Sequence, residues 1–208
     1  MEQFTGGVKN YAKLISEYVY TLHPELGSTW IADEMCIKVR GEWMWLWTVM
    51  DMETRFIIAQ IVSSDRMTED AIRLFRRAMS IAKVRPRTII TDGLHAYEDA
   101  VRKVFWTLKR PRTVHERVVK WCGGASLYTN LIERLQGTIR ERLKVLRGLK
   151  KENSPIINGY RIYYNFIRPH ESLDGRTPSQ MAELDFGHGE EAWMKLIIKS
   201  KIRNNSKF

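Results

Sequence analysis

The chain has 208 residues, 44% of them hydrophobic and 28% charged, which suits one α/β domain with a buried core and excludes a disordered tail protein. The longest apolar run, Met44 to Met50, is far shorter than the roughly 20 residues that cross a bilayer, so no membrane is expected as a partner. A formal net charge of +10 favours a polyanionic partner, because clustered Lys and Arg displace counterions from a phosphate backbone.

The two cysteines, Cys36 and Cys122, are far apart in sequence, which argues against a disulfide framework or a structural zinc site. The histidines His23, His95, His115 and His188 show no metal-ligand spacing. The N-terminus lacks the apolar segment of a signal peptide, so we expect free thiols and a cytoplasmic protein.

The first third of the chain predicts a lead-in helix and three strands. Apolar residues between 11 and 19 recur at helical spacing. A meander of β-forming segments follows, at Trp30–Val39, Glu42–Met50 and Arg55–Val62. Both faces of the second segment are apolar, so it is expected to lie inside the sheet. Its tryptophans, Trp43, Trp45 and Trp47, are expected in the core rather than as a platform for stacking bases.

The rest of the chain alternates between helical and strand patterns. Thr68 is the predicted N-cap of a crossover helix that runs to Ile81. A short strand, a helix and another short strand are predicted at Arg87–Thr91, Tyr97–Trp106 and 112–119. After a flexible connection at Gly123–Ser126, helices are predicted from Leu127 to Leu143 and from Ser154 to about Ile167. These elements predict an α/β fold with a mixed five-stranded sheet flanked by helices.

Two aspartates stand out on the predicted strands. Alternation places Asp33 on the face of Ile31 and Met35, where an unpaired buried charge is costly, whereas Glu34 lies on the other face and carries no such signal. Asp92 ends a strand just before Gly93, and strand ends are where ligands gather in open α/β sheets. Taken singly, however, an aspartate at a strand end is more typical of a turn.

Glu133 begins a cationic stripe on the long predicted helix. Helical periodicity places Gln136, Gly137, Arg140 and Lys144 on the same side as Glu133. Such a stripe could hold a metal at one end and follow a DNA backbone with Arg140 and Lys144. The alternative is an ordinary solvated helix face on which Glu and Arg pair weakly.

The trio of Asp33, Asp92 and Glu133 makes sense only with a metal. Three carboxylates brought together without a cation repel one another, whereas Mg²⁺ prefers a small set of carboxylate oxygens. Two such ions about 4 Å apart can activate a water or a 3′-hydroxyl and stabilise the leaving oxygen in an in-line attack on phosphorus. The sequence therefore predicts phosphodiester chemistry with two Mg²⁺ ions, for which Mn²⁺ would substitute.

Several motifs carry a resemblance to a known family. They are TWIADE at 29–34, GEWMWLW at 41–47, ITDG at 90–93, NLIE at 130–133 and YNFIRPH at 164–170, followed by Leu173, Gly175, Thr177 and Pro178. Together they resemble the DDE transposases of prokaryotic insertion sequences, whose catalytic core is like that of retroviral integrases. The match spans roughly residues 29–182.

The resemblance implies a ribonuclease-H-like fold and an Asp-Asp-Glu metal site at Asp33, Asp92 and Glu133, followed two helical turns later by Arg140. We expect a lead-in at 1–28, a catalytic domain at 29–182 and a basic C-terminal tail at 183–208. The expected partners are the DNA of the element ends and of the target, and one or more further copies of the chain on DNA in the nucleoid. DNA contacts are expected from Arg140, Lys144, Arg147, Arg168 and His170, with His170 touching a phosphate or capping a turn.

The chain departs from the family pattern in two places. Forty residues separate Asp92 from Glu133, more than is usual, and the Gly-Gly connection is expected to absorb the excess. The family normally carries an N-terminal helix-turn-helix module, yet 28 residues precede the first strand. A truncated copy, a catalytic half with a separately encoded DNA-binding half, and a domesticated remnant are all compatible with this.

Two other functions remain open from the sequence. One is a nuclease of the same fold that hydrolyses DNA or an RNA-DNA hybrid without joining strands; the closing motif at 164–178 favours the transposase over it. The other is a non-catalytic DNA-binding remnant, which the presence of all three carboxylates disfavours.

Overall fold

The structure is a computed structural model that describes residues 13–108, 110, 112–118, 127–152 and 154–205, with the backbone alone at 127–129. Their contacts fall into two compact units. Residues 26–152 form the larger unit, and residues 13–25 with 154–205 form the smaller one. The predicted connection at Gly123–Ser126 lies outside the described residues.

The larger unit is built on a mixed five-stranded sheet with the strand order β3-β2-β1-β4-β5. Its strands are β1 at Thr29–Val39, β2 at Glu42–Asp51, β3 at Ile57–Ser63, β4 at Thr88–Thr91 and β5 at Val114–Arg117. The first three form an antiparallel meander, and β4 and β5 run parallel to β1. The predicted meander, both later strands and the interior position of β2 are confirmed.

Three helices of this unit cover the sheet: α2 at Thr68–Ala82, α3 at His95–Phe105 and α4 at Leu127–Val145. Successive residues of a strand face opposite sides. Since Glu34 contacts Tyr97 of α3 and Asp33 contacts Gln136 of α4, these two helices lie on opposite faces of β1. The acidic residues of β1 are therefore held between two helical layers.

The prediction that Thr68 caps α2 is wrong by one residue. Met67 is the N-cap and Thr68 is the first helical residue. Asp70 and Met67 bond to each other in both directions: the Asp70 carboxylate accepts from the Met67 backbone N–H at 3.2 Å, and the Asp70 backbone N–H donates to the Met67 carbonyl at 3.1 Å. The apolar stripe that predicted this helix is buried as expected, at Ala71, Leu74, Phe75, Ala78 and Ile81.

The tryptophans of β2 do not all lie in the core. Trp47 is fully buried and packs edge-on against Tyr97, and Trp45 is half-buried. Trp43 is 64% exposed, so the prediction that it is a core residue is wrong. It lies next to the hairpin turn at Arg40 and Gly41, where both residues have positive φ.

The smaller unit is helical in its described residues. A helical segment at 13–19, α1, confirms the lead-in helix, with Tyr11 outside the described residues. Ser154 caps α5, which spans Pro155–Ile162 and continues as a π-helix at Tyr163–Ile167. Further helices are the single-turn 3₁₀-helix at Glu171–Leu173, α6 at Pro178–Met181 and α7 at Gly189–Asn205. Most of the predicted basic tail is thus helical, with Ala192, Leu196 and Ser200 buried along one side of α7.

The described helices include none with both the length and the apolar composition that a membrane span requires.

Candidate metal centre

Asp33 and Asp92 lie side by side because of the way β1 and β4 pair. The two strands run parallel with Ala32 opposite Thr91. The residue after each of these is an aspartate, so Asp33 and Asp92 lie at the same end of the strand pair. One carboxylate oxygen from each of Asp33, Glu34 and Asp92 lies within 4.8 Å of the others. The structure therefore brings together two of the three predicted ligands, and adds Glu34.

Asp33 is held by two neutral hydrogen-bond donors. Its Oδ1 accepts from the backbone N–H of Glu34 at 2.9 Å, and its Oδ2 accepts from the side-chain amide of Gln136 at 2.9 Å. Burial, followed by the charges of Glu34 and Asp92, raises the pKa of Asp33 to about 7, against the lowering effect of those two hydrogen bonds. A carboxylate in this state gains strongly from a nearby cation.

Asp92 is both a turn residue and a site residue. Its Oδ1 accepts a hydrogen bond from the Leu94 backbone N–H at 3.0 Å, which shapes the turn into α3. Its Oδ2 lies 3.8 Å from Nη2 of Arg66. The two interpretations that the sequence left open for Asp92 are thus compatible, since one oxygen holds the turn and the other faces the acidic cluster.

Strand alternation gives no functional signal for Glu34, yet its side chain is only 7% exposed. Its Oε2 accepts from the hydroxyl of the fully buried Tyr97 at 2.7 Å, and its Oε1 accepts from Nε of Arg66 at 2.7 Å and also from Nη2 of Arg66. Burial raises the pKa of Glu34, and the Tyr97 hydroxyl and the Arg66 charge work against that rise. Glu34 is therefore a paired buried carboxylate whose oxygens are both engaged.

Arg66 links the acidic cluster to the surface of the sheet. Besides its bonds to Glu34 and its approach to Asp92, its guanidinium carbon lies 4.8 Å from the centroid of the Trp45 ring. The arginine offsets part of the negative charge of the cluster. Its partners lie far away in sequence, and no local pattern around Arg66 indicated this role.

Glu133 lies on α4 and is partly buried, but it is not among the side chains that the structure brings within 4.8 Å of one another. Its helix face is nevertheless directed at Asp33, because Gln136 reaches Asp33 from the same helix. Glu133 precedes Gln136 by three residues, which is about 60° around a helix and about 4.5 Å along it. Its assignment as the third metal ligand stays a prediction.

The predicted DNA-contacting residues of the larger unit lie on α4 and just beyond it. Arg140 is exposed, and Lys144 is exposed and pairs with Glu141 at 2.7 Å. Arg147 has a φ of 54° and is followed by Gly148, whose N–H bonds to the Leu143 carbonyl at 3.0 Å and ends the helix.

The two predicted DNA-contacting residues of the smaller unit follow its π-helix. Arg168 is half-buried. The His170 ring packs edge-on against Tyr164, with ring centroids 4.5 Å apart, and its Nε2 lies 3.3 Å from the Tyr164 carbonyl oxygen. His170 therefore helps to hold the turn that follows the π-helix, which is one of the two roles expected for it.

The donor set of the cluster fits a hard divalent cation. Oxygen ligands from carboxylates are what Mg²⁺ and Mn²⁺ prefer, and those of Asp33 and Asp92 converge here beside the already paired Glu34. Among its described contacts, Asp33 has hydrogen bonds but no cationic partner, while Arg66 is committed to Glu34. A divalent metal would therefore stabilise these carboxylates better than their protein neighbours do alone.

The mixed sheet with helices on both faces is a ribonuclease-H-like fold, and known structures bear this out. One chain of a simian T-cell lymphotropic virus intasome, solved in complex with PP2A regulatory subunit B56 gamma, is similar with a TM-score of 0.56 and 14% identity over 77% of this chain, which spans 56% of that chain's length. The HTLV-2 integrase catalytic core domain with magnesium is also similar. For its dimeric form the TM-score is 0.53 and the sequence identity 15%, and the match covers 79% of this chain and 99% of that one. For its trimeric form the TM-score is 0.53 and the identity 16%, and the match covers 77% of this chain and 98% of that one.

The sequence itself belongs to the DDE domain family, whose profile matches residues 27–170. The chain is therefore a DDE transposase domain with a retroviral-integrase-like core, and the resemblance drawn from its motifs is confirmed. Family membership ties it in general terms to polynucleotidyl transfer in transposition. Among curated protein sequences, none is significantly similar to this chain.

Proposed function

We propose that the chain is the catalytic domain of a transposase that cleaves DNA at the ends of an insertion sequence and joins the freed 3′-hydroxyl to target DNA. The convergence of Asp33 and Asp92 at one edge of the sheet carries the proposal. Membership of the DDE domain family and the approach of α4 to Asp33 support it.

In this proposal Asp33, Asp92 and Glu133 hold two Mg²⁺ ions, which Mn²⁺ can replace. Bound ions of this kind activate a water or a 3′-hydroxyl and stabilise the leaving oxygen of a phosphodiester. Gln136 and the Glu34 backbone N–H fix the plane of the Asp33 carboxylate, and the Leu94 N–H fixes that of Asp92. Both oxygens of Glu34 are already engaged by Tyr97 and Arg66, so Glu34 serves to anchor Arg66 rather than to bind metal.

The DNA backbone is proposed to contact Arg140, Lys144, Arg147, Arg168 and His170. Arg140 is the sharpest case, because it is exposed and lies one turn beyond Gln136 on α4. Arg140→Ala should weaken binding to all DNA sequences alike and reduce the slope of log affinity against log salt by about 1. Fluorescence anisotropy at several salt concentrations measures this, with Arg76→Ala, at an exposed position of α2, as the matched control. An unchanged slope for Arg140→Ala would remove this residue from the DNA contacts.

A second copy of the chain is also proposed, because transposition must cut and join two element ends together. The HTLV-2 catalytic core is known in dimeric and trimeric forms, and the simian virus protein forms an intasome. We propose a homodimer or a higher oligomer that assembles on DNA.

Strand joining is the activity that tests the function. The purified chain is incubated with a labelled oligonucleotide bearing a free 3′-hydroxyl, a supercoiled plasmid and MgCl₂ or MnCl₂. We expect label to become covalently attached to the plasmid, and EDTA to abolish the product. Metal-dependent nicking without attachment would indicate a nuclease of the same fold, and DNA binding without any cleavage would indicate a non-catalytic remnant.

A further inference from the structure

A strip of side chains leads from the acidic cluster along the face of the sheet that carries Glu34. Across the β1–β2 pairing, the opposite residues on this face are Glu34 with Trp47, Cys36 with Trp45 and Lys38 with Trp43. Every second residue of a strand faces the same side, so these side chains form one continuous row. The row runs from Glu34 to the hairpin turn.

The three tryptophans of the row become more exposed with distance from the acidic cluster. Trp47 is buried against Tyr97, Trp45 is half-buried, and Trp43 is 64% exposed. Each of the two outer rings has a cation over its face: Arg66 lies 4.8 Å from the centroid of Trp45, and Lys38 Nζ lies 4.8 Å from that of Trp43. Accessible aromatic rings beside cations are the combination by which proteins bind single-stranded nucleic acid, since rings stack bases and cations meet phosphates.

We propose that Trp43 and Trp45, with Lys38 and Arg66, bind unpaired nucleotides of single-stranded DNA on the face of the sheet that carries Glu34. The proposal deepens the proposed function, on which it rests for DNA as the substrate. The two rings are two residues apart, about 7 Å along a strand. This is roughly twice the 3.4 Å step of stacked bases in B-DNA, so the rings suit bases that are unstacked from each other.

The charge around the strip favours a polyanion. At the hairpin turn, Arg40 is exposed and its Nε donates to the Lys150 carbonyl at 3.0 Å, which fixes the 150–151 segment beside the turn. The exposed charged side chains of this region comprise four cations, Lys38, Arg40, Lys150 and Lys151, and two acids, Glu42 and Glu152. The excess of positive charge continues the row of cations that begins at Arg66.

A base can displace the cation that covers Trp43. A cation over an exposed ring contributes roughly a twofold to fivefold preference. Stacking of a base on an aromatic ring contributes about fivefold to 100-fold per base. Stacking therefore wins, and the released Lys38 ammonium is free to meet a phosphate. In a duplex the base faces are covered by their neighbours, so the strip discriminates in favour of unpaired DNA.

The test compares two exposed tryptophans of the larger unit. Trp43→Ala removes the outer ring of the strip, and Trp106→Ala removes a ring that is 65% exposed at the end of α3, outside the strip. Anisotropy of labelled oligo-dT is measured in EDTA at fixed salt, alongside a blunt duplex. We expect Trp43→Ala to weaken oligo-dT binding about fivefold to 100-fold, Trp43→Phe to retain most of the affinity, and Trp106→Ala to have no effect.

Several results would overturn the proposed strip. One is an equal loss of oligo-dT affinity in Trp43→Ala and Trp106→Ala, and another is a loss of blunt-duplex affinity in Trp43→Ala that equals its loss of oligo-dT affinity. A third is a lower melting temperature of Trp43→Ala with unchanged oligo-dT affinity, which would show that Lys38 and Trp43 only stabilise the hairpin. Because binding is measured without metal, it is independent of strand joining. A chain that binds oligo-dT through Trp43 but never joins DNA would refute the proposed function alone, and a chain that joins DNA while Trp43→Ala binds normally would refute the strip alone.

Discussion

Asp33→Asn is expected to reduce DNA cleavage and strand joining by at least about 1000-fold. Asp33 lies where β1, β4 and α4 meet, and its two oxygens are oriented by Gln136 and the Glu34 N–H. Asparagine keeps the shape and one oxygen but removes the charge that a divalent cation requires. Losing about 4 kcal/mol of transition-state stabilisation, the order expected of a metal site, corresponds to a factor of about 1000.

The measurement is the initial rate of joined product from the plasmid assay, with DNA affinity determined in parallel. Asp99→Asn is the matched control, because Asp99 is a surface aspartate of α3 that pairs with Arg102 at 2.8 Å. The control should keep the wild-type rate, and Asp33→Asn should keep DNA binding while losing turnover. A variant at Asp33 that joins DNA within tenfold of the wild type would show that this carboxylate is not a metal ligand.

The part of the site that the sequence could predict depends on strand geometry. Alternation along β1 made Asp33 conspicuous, because its neighbours of the same parity are apolar and buried. The boundary of β4 placed Asp92 at a strand end, and parallel pairing with β1 then sets the two aspartates side by side. The alternation and the strand boundary are local patterns that a short-range rule can find, whereas the pairing of β1 with β4 joins residues 59 apart in sequence.

The part that could not be predicted depends on contacts between distant residues. Arg66 meets Glu34 across 32 residues, and Tyr97 meets it across 63. Alternation within β1 gives no signal for Glu34, because its burial depends on Arg66 and Tyr97. No pattern inside β1 contains this information.

The tryptophans of β2 show a second limit of sequence patterns. Apolar residues on both faces predict an interior strand, and β2 does lie between β1 and β3. The pattern does not reveal which of the tryptophan side chains another element covers. Trp47 is covered by Tyr97 whereas Trp43 is exposed near the turn, and that difference distinguishes a core residue from a candidate binding surface.

Asp33 is expected to lower the stability of the metal-free protein at neutral pH, although activity is expected to depend on it. In the metal-free protein its pKa is raised from 3.8 to about 7, so the folded state binds a proton more tightly than the unfolded state does. The free energy of unfolding should therefore fall as the pH rises from about 4 to about 7. The upper limit of this loss is about 4 kcal/mol, at 1.36 kcal/mol per pH unit, and about 1–3 kcal/mol is expected because Asp33 is only partly buried.

Asp33→Asn should remove this loss, since asparagine carries no charge: its oxygen can accept from the Glu34 N–H, and its amide N–H can donate to the side-chain oxygen of Gln136 once that amide is flipped. At pH 8 in EDTA the variant should melt roughly 3–10 °C above the wild type, and at pH 4 the two should melt together. Adding MgCl₂ at pH 8 should stabilise the wild type and leave the variant unchanged. Asp51, whose pKa burial raises to about 6, contributes a fall of the same sign, so the quantity to follow by calorimetry is the difference between variant and wild type. A variant that melts below the wild type at pH 8 in EDTA would mean that Asp33 is stabilised by its neighbours in the absence of metal, and the cluster would then have no physical need for a cation.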